Sequence, residues 1–236
     1  NLYSKIQPHV KKDAIITSNT SGISAAELIS EMDDDMAKRF FITHFFNPPR
    51  YMKLVEIISS EKTDPTIIPP MAEFLETSLG KGVVYAKDTP NFIANRIGVY
   101  GMMVTLDEAR KKKLSIEDVD SLTGSLIGRP KSATFRTSDI VGLDTMCFVA
   151  NTAYDKCTDD REKDIFKIPI YLQKMVDNKW LGQKSKQGFY KKIDKGVIHS
   201  INLDTLEYSP QSKKRYAGIR LAKEHTTVCG RLKALV

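Results

Sequence analysis

A single charge inside an apolar run constrains this chain more than any other feature. Leu54-Val55-Glu56-Ile57-Ile58 reads as a buried strand, part of a longer run from Met52 to Ile58. An unpaired carboxylate in such a strand is costly to bury. Glu56 therefore needs a partner, and the strand pattern Arg39-Phe40-Phe41-Ile42-Thr43 supplies one at its end in His44. A buried carboxylate fixes the tautomer of an imidazole. It also stabilises the imidazolium that forms when the other ring nitrogen takes a proton. The fold must therefore bring two apolar strands together, and the pair it creates suits a general base acting on an alcohol near neutral pH.

The rest of the first part agrees with an α/β sheet. Residues 2–11 carry Leu2, Ile6 and Val10 at helical spacing, against which Pro8 counts. Ala14-Ile15-Ile16-Thr17 reads as a buried parallel strand. Ser21 or Ser24 can cap a helix carrying Ala25, Ala26, Leu28 and Ile29. Pro65 opens a helix to about Leu79, Gly80-Lys81-Gly82 breaks it, and Val83-Val84-Tyr85 begins another strand.

The pattern changes at Asp88-Thr89-Pro90, beyond which helix signals dominate. Ile93, Ile97, Tyr100, Met103 and Val104 mark a long helix to about Lys112. Ser115 and Asp118 resemble a capping box. Ser138-Asp139 can cap a helix carrying Ile140, Leu143, Met146, Cys147 and Ala150, and Pro169 to Asn178 suggests one more. Residues 196–236 read as a basic, turn-rich tail containing Val197-Ile198-His199 after Lys195-Gly196, with a last helix from Tyr216 to Leu235.

These patterns carry a resemblance. His44-Phe-Phe-Asn47-Pro with Lys53-Leu-Val-Glu56 resembles the signature of the L-3-hydroxyacyl-CoA dehydrogenases of fatty-acid β-oxidation. Ser18-Asn19-Thr20-Ser21, Asp88-Thr-Pro-Asn-Phe-Ile-Ala-Asn95-Arg96 and Gly182-Gln-Lys184-Ser-Lys-Gln-Gly188-Phe-Tyr190 follow in the family's order. The resemblance spans roughly residues 1–192. It implies an α/β part followed by an all-α part. Residues 1–87 would be the C-terminal part of a Rossmann-like NAD-binding domain. Residues 88–192 would be a helical substrate and dimerisation domain, and residues 193–236 a tail or linker. The implied reaction is oxidation of an L-3-hydroxyacyl-CoA to the 3-ketoacyl-CoA with hydride transfer to NAD.

The roles implied by the resemblance fall on His44 as general base, Glu56 as its orienting carboxylate, and Ser21 near both nicotinamide and substrate hydroxyl. Asn47 and Asn95 would position the substrate carbonyl and the histidine, and Lys184 would reach toward the nicotinamide end of the cofactor. Each residue also has a plainer reading. Glu56 could face solvent on an edge strand, Ser21 could be a helix cap, and Asn47 an Asn-Pro turn. Asn95 could lie on a polar helix face and Lys184 on the surface. His9, His199 and His225 have no such company and read as solvated.

One expected element is missing from these 236 residues. A Gly-x-Gly-x-x-Gly turn followed by an acidic ribose ligand should accompany a nicotinamide site. Gly80 and Gly82 make a lone GxG followed by strand residues, and Gly98 and Gly101 fall within a helix. The chain begins at Asn1-Leu2-Tyr3 without an initiator Met, and reads as an excised piece of a longer polypeptide. We therefore expect the chain by itself to be inactive, with an exposed strand edge that pairs with another chain or leaves residues 1–20 disordered. In long family members a hydratase domain can adjoin the dehydrogenase, so fusion to an enoyl-CoA hydratase is expected in the parent chain.

Composition excludes several other classes. A formal net charge of +7 attracts polyanions, but the basic residues are scattered, apart from Arg110-Lys111-Lys112-Lys113 and Lys213-Lys214-Arg215. No nucleic-acid-binding signature accompanies them. No apolar run approaches the length of a membrane span. Cys147, Cys157 and Cys229 are odd in number and lack CxxC spacing, as expected of a reducing cytoplasm. Two other functional readings stay open: a dehydrogenase of a non-CoA hydroxyacid, and a non-catalytic assembly module.

Overall fold

The computed structural model describes residues 2–194, 196–212, 214 and 216–235. Lys213 and Arg215 of the second basic cluster, and Lys195 of the Lys195-Gly196 break, lie outside the described residues. The chain forms two compact units, one up to Ile97 and one from Gly98 on.

The first unit opens with helix α1 (Leu2–Ile6), which Pro8 converts into a 3-10 turn over Gln7–His9. Tyr3 and Ile6 pack against the core, and the Tyr3 ring meets Phe40 edge-on at 5.3 Å. Residues 2–9 thus form a helix and a turn packed on the sheet. Strand β1 (Ile16–Ser18) follows, shifted by about two residues from expectation and half-exposed rather than buried. Helices α2 (Ala25–Ile29) and α3 (Asp34–Lys38) lead to β2 (Phe40–Phe45) and β3 (Leu54–Ser59). Ser24, not Ser21, caps α2 by accepting from Glu27 N. The segment opened by Pro65 is a 3-10 turn, helix α4 (Ile68–Glu73) and a π-turn over Phe74–Ser78, and β4 (Gly82–Ala86) completes the sheet.

The sheet order is β1-β2-β3-β4. β1 runs parallel to β2 and β3 parallel to β4, but β2 and β3 are antiparallel. The sheet is therefore mixed. The link between β2 and β3, residues 46–53, is too short for a helical crossover of roughly a dozen residues. One face buries Ile42 and Ile58 against α2 and α3 residues such as Ala25 and Met36; the other buries Phe41, Val55 and Ile57 against Ala72 and Leu75. Among the described residues β1 pairs only with β2, so it lies at one edge of the sheet.

Helix α5 (Ala94–Lys111) begins in the first unit and continues in the second. The second unit adds α6 (Ile116–Thr123), α7 (Phe135–Val141), α8 (Leu143–Lys156) and α9 (Ile170–Asp177). It continues with strands β5 (Tyr190–Asp194), β6 (Val197–Ile201) and β7 (Tyr208–Pro210), then α10 (Ala217–Lys223) and α11 (Val228–Leu235). The capping box at Ser115 and Asp118 forms in both directions.

Several expectations fail in this unit, and the single last helix expected over Tyr216 to Leu235 is two, α10 and α11. Ser138 and Asp139 do not cap a helix. They lie inside α7, and Gly142 at φ 98° separates it from α8. Ile140 thus belongs to α7 and is exposed, while Leu143 and Met146 of α8 are buried. The residues after 192 are not a loose tail either. β5, β6 and β7 form an antiparallel sheet whose Ile201, together with Leu203, joins the core around Phe135 and Phe189. Arg231 of α11 donates to Leu126 O at 2.8 Å. His199, expected to be solvated, is half-buried in β6, whereas His9 and His225 are exposed.

Candidate active site

The antiparallel register sets His44 directly opposite Glu56. Opposed side chains in such a pair have Cβ atoms about 4.5–5.5 Å apart, which lets the two meet without bending either strand. His44 Nδ1 lies 2.7 Å from Glu56 Oε2, and both residues are buried, at 4% and 1% exposure. The second carboxylate oxygen is also held. Glu56 Oε1 accepts from Ile93 N at 3.1 Å and from Ala94 N at 2.8 Å. Ala94 is the first residue of α5, so an anion sits against the positive end of an 18-residue helix. Burial alone would raise the Glu56 pKa. The hydrogen bonds from His44, Ala94 and Ile93 outweigh it and hold the carboxyl below its ordinary value. A charged Glu56 makes Nδ1 of His44 the donor, so Nε2 carries the lone pair.

The turn that delivers those two amides is strained. Asn91 and Phe92 both take the left-handed conformation, at φ 63° and 51°. For non-glycine residues this costs of order 1–3 kcal/mol each and persists only where packing fixes it. Here it is fixed by the Phe92 ring, buried at 4% exposure and edge-on to His44 at 5.5 Å. Phe46 closes on the same imidazole at 4.5 Å. Two aromatic rings, one carboxylate and one helix end thus fix a single histidine.

The other residues singled out from sequence divide between the units. Ser21 is exposed in the loop between β1 and α2. That loop is braced by its neighbours: Asn19 Oδ1 accepts from Phe45 N at 2.9 Å, and Thr20 Oγ1 from Ile23 N at 3.2 Å. Asn47 is exposed just beyond β2, in a cis Asn47–Pro48 link. Asn95 is half-buried in the first turn of α5, next to Ala94. In the second unit Lys184 Nζ pairs with Asp144 at 2.6 Å.

Sequence reasoning missed two residues here. Asp88 accepts from Ala25 N at 2.8 Å and from Ala26 N at 2.9 Å, tying the start of α2 to the segment before α5. Asp139 explains the glycines flanking Lys184. It accepts from Phe189 N at 2.8 Å and Tyr190 N at 2.9 Å, and burial pushes its pKa up to about 6 against those bonds. Gly182, at φ 95°, and Gly188 lie so close to Asp139 that a Cβ on either would overlap it. No signal within Ser138-Asp139 foretells this, because the partners are some 50 residues away.

For a dinucleotide the fit is one-sided. Loops at the C-terminal ends of parallel strands are where α/β sheets bind ligands. Ser21 and Asn47 offer a hydroxyl and an amide there, donors suited to the nicotinamide end. Among the described residues no glycine turn against a helix N-terminus accompanies them to cradle a pyrophosphate. Lys81, between Gly80 and Gly82, is bonded to the carbonyls of Pro49 and Met52, so that GxG only joins the π-turn to β4.

Two domains of one family match this chain. Residues 1–89 match the 3-hydroxyacyl-CoA dehydrogenase NAD binding domain, and residues 92–192 the 3-hydroxyacyl-CoA dehydrogenase C-terminal domain. The chain belongs to the 3-hydroxyacyl-CoA dehydrogenase family. A probable 3-hydroxyacyl-CoA dehydrogenase of Bacillus subtilis is 48% identical over 235 residues, which is 100% of this chain and 30% of the relative. A putative fatty acid oxidation complex trifunctional enzyme of Rickettsia felis is 36% identical over 90% of this chain and 30% of its own length. The chain thus spans about 30% of the length of these two curated relatives. Among solved structures, the (S)-3-hydroxybutyryl-CoA dehydrogenase PaaH1 from Ralstonia eutropha superposes with a TM-score of 0.69 at 28% identity, covering 79% of this chain and 63% of that one.

Proposed function

We propose that this chain supplies the proton-transfer machinery of an NAD-dependent dehydrogenase that converts L-3-hydroxyacyl-CoA to 3-ketoacyl-CoA in fatty-acid β-oxidation. One observation carries the reading: a buried His44–Glu56 pair whose carboxylate is held by the first amides of α5. In this reading His44 Nε2 takes the proton from the substrate 3-hydroxyl, while the C3 hydrogen departs with its electron pair. Bound NAD supplies the hydride acceptor. Glu56 stabilises the imidazolium that results, and the helix end keeps Glu56 charged throughout. In the reverse direction His44 returns the proton to the carbonyl oxygen.

Ser21 and Asn47 are the residues we assign to the nicotinamide end and the reacting oxygen, with Asn95 positioning the histidine. Those assignments rest on the family motifs and on the exposure of Ser21 and Asn47 at the strand ends. For Lys184, whose ammonium is paired with Asp144, the assignment rests on the motif alone.

Two aspects of setting belong to the same proposal. The trifunctional Rickettsia relative supports fusion with further domains, and the family resemblance makes an enoyl-CoA hydratase the one we assign. Exposed Ile140, Phe148 and Ile170, at 60%, 58% and 75%, support a homodimer through the second unit. We assign the chain a cytoplasmic setting from the odd number and spacing of its cysteines; separately, among the described residues no helix is long and apolar enough to cross a membrane. The test is NADH consumption by the whole protein with acetoacetyl-CoA, beside free acetoacetate. Turnover of the thioester alone supports the reading; turnover of free acetoacetate at a similar rate moves the assignment to a non-CoA hydroxyacid.

A further inference from the structure

We propose that Asp88 is a positioning residue that ties the loop carrying Ser21 to the segment that holds the His44–Glu56 pair. The proposal rests on the dehydrogenase reading above and adds a residue to it. The geometry is two-ended. One carboxylate oxygen of Asp88 accepts from Ala25 N and the other from Ala26 N, at 2.8 and 2.9 Å. Ala25 and Ala26 open α2, immediately after the loop that bears Ser21. On the covalent side, Asp88 begins the turn through Asn91 and Phe92 that ends in Ile93 N and Ala94 N, the two amides on Glu56.

Asp88 therefore spans both halves of the first unit's site, beside Asn19, which ties the same loop to Phe45 N next to His44. Two charge-assisted bonds to adjacent amides define a direction as well as a distance, which a single bond does not. Ser24 offers a contrast on the same helix. Its hydroxyl accepts from Glu27 N three residues on, so it caps α2 without joining it to anything distant. Loss of Ser24 weakens the helix; loss of Asp88 also lets the Ser21 loop shift against His44. Displacing a catalytic group by about 1 Å can cost as much as 10²-fold in rate.

Asparagine at position 88 keeps the shape but sets an NH2 group against one of two N–H donors, so one tie is lost. The experiment compares steady-state kinetics of the whole protein with acetoacetyl-CoA and NADH for Asp88→Asn, Ser24→Ala, Ser21→Ala and the Asp88→Asn/Ser21→Ala double variant. We expect Asp88→Asn to lower kcat by about tenfold or more. Ser24→Ala should melt lower yet stay within about twofold of the unsubstituted kcat, since it removes a cap only. Ser21→Ala should cost about tenfold alone and less than about threefold on top of Asp88→Asn, because coupled sites are non-additive.

A kcat for Asp88→Asn within about twofold of the unsubstituted protein overturns the proposal, as does full additivity with Ser21→Ala. Equal losses in Ser24→Ala and Asp88→Asn overturn it too, by reducing Asp88 to a helix cap. Should Asp88→Asn not fold, Asp88→Glu takes its place in the same cycle, keeping the charge and both oxygens but moving them by one methylene. His44→Gln separates the two levels of argument. If it is slow and Asp88→Asn is not, the Asp88 proposal alone is wrong. If the unsubstituted protein lacks turnover, or His44→Gln retains it, the dehydrogenase reading falls and this proposal with it.

Discussion

Replacing Glu56 by glutamine tests how the site works, because the change preserves shape and removes only charge and one acceptor. Glu56 accepts three hydrogen bonds, from His44 at 2.7 Å, Ile93 N at 3.1 Å and Ala94 N at 2.8 Å. A glutamine that keeps its oxygen on the two amides presents an NH2 group to His44. Nδ1 must then accept, Nε2 carries the proton, and the base is in the wrong tautomer. A flipped glutamine restores the tautomer but faces two N–H donors with a third, at a cost of about 1–3 kcal/mol for the unmade bonds. The first arrangement wins, so the rate should fall. The equivalent change in a serine-protease triad lowers kcat about 10⁴-fold, and general-base contributions run about 10²–10⁴-fold. We therefore expect a kcat loss in that range, or about 3–5 kcal/mol at 1.4 kcal/mol per decade.

Stability provides a second readout with a definite sign. The Glu56 carboxyl is held below its ordinary value in the fold. Its contribution to stability is therefore present above the unfolded glutamate value of about 4.3 and is lost as pH falls below that. In Glu56→Gln that acid-side loss should shrink. The assay is NADH consumption with acetoacetyl-CoA by the whole protein, paired with thermal melts across acidic pH. A variant keeping more than about half of the activity, or an acid limb unchanged from the unsubstituted protein, would refute the reasoning.

Three other outcomes follow. Gly182→Ala should destabilise the protein by at least about 3 kcal/mol, because its Cβ would overlap the Asp139 backbone at a φ of 95°; an unchanged melting temperature would show that α7 can move aside. Light scattering at micromolar protein should give a dimer mass, and a monomer mass would leave the exposed Ile140, Phe148 and Ile170 to another partner. Calorimetric titration of the 236-residue chain with NADH should show no micromolar binding, since a helix N-terminus with a close glycine turn carries dinucleotide affinity; micromolar binding would mean the chain holds the cofactor another way.

Much of the fold was legible where its signals are local. Glu56 betrayed itself as a charge in an apolar strand, and Ser115 with Asp118 formed the capping box their spacing suggested. The antiparallel turn between β2 and β3 was also present in the sequence, as a link of eight residues between Phe45 and Leu54, but strand–helix alternation obscured it. What stayed hidden depends on distant partners. Asp139 looked like a helix cap because its acceptors' donors, Phe189 N and Tyr190 N, lie far along the chain. Asp88 looked like part of a motif until its carboxylate met Ala25 and Ala26. The strands after residue 192 are short and partly polar, with burial pattern alone to mark Ile201 and Leu203 as core.

The central claim is that His44 Nε2 exchanges the proton with the substrate oxygen. Single-turnover NADH oxidation by the whole protein with saturating acetoacetyl-CoA, compared between the unsubstituted protein and His44→Gln, addresses the chemical step itself. The account predicts a rate lower by about 10²–10⁴-fold in the variant, with its melting curve still cooperative. A variant that oxidises NADH at more than about half the unsubstituted rate would contradict it, because no base contributing so little could carry this step.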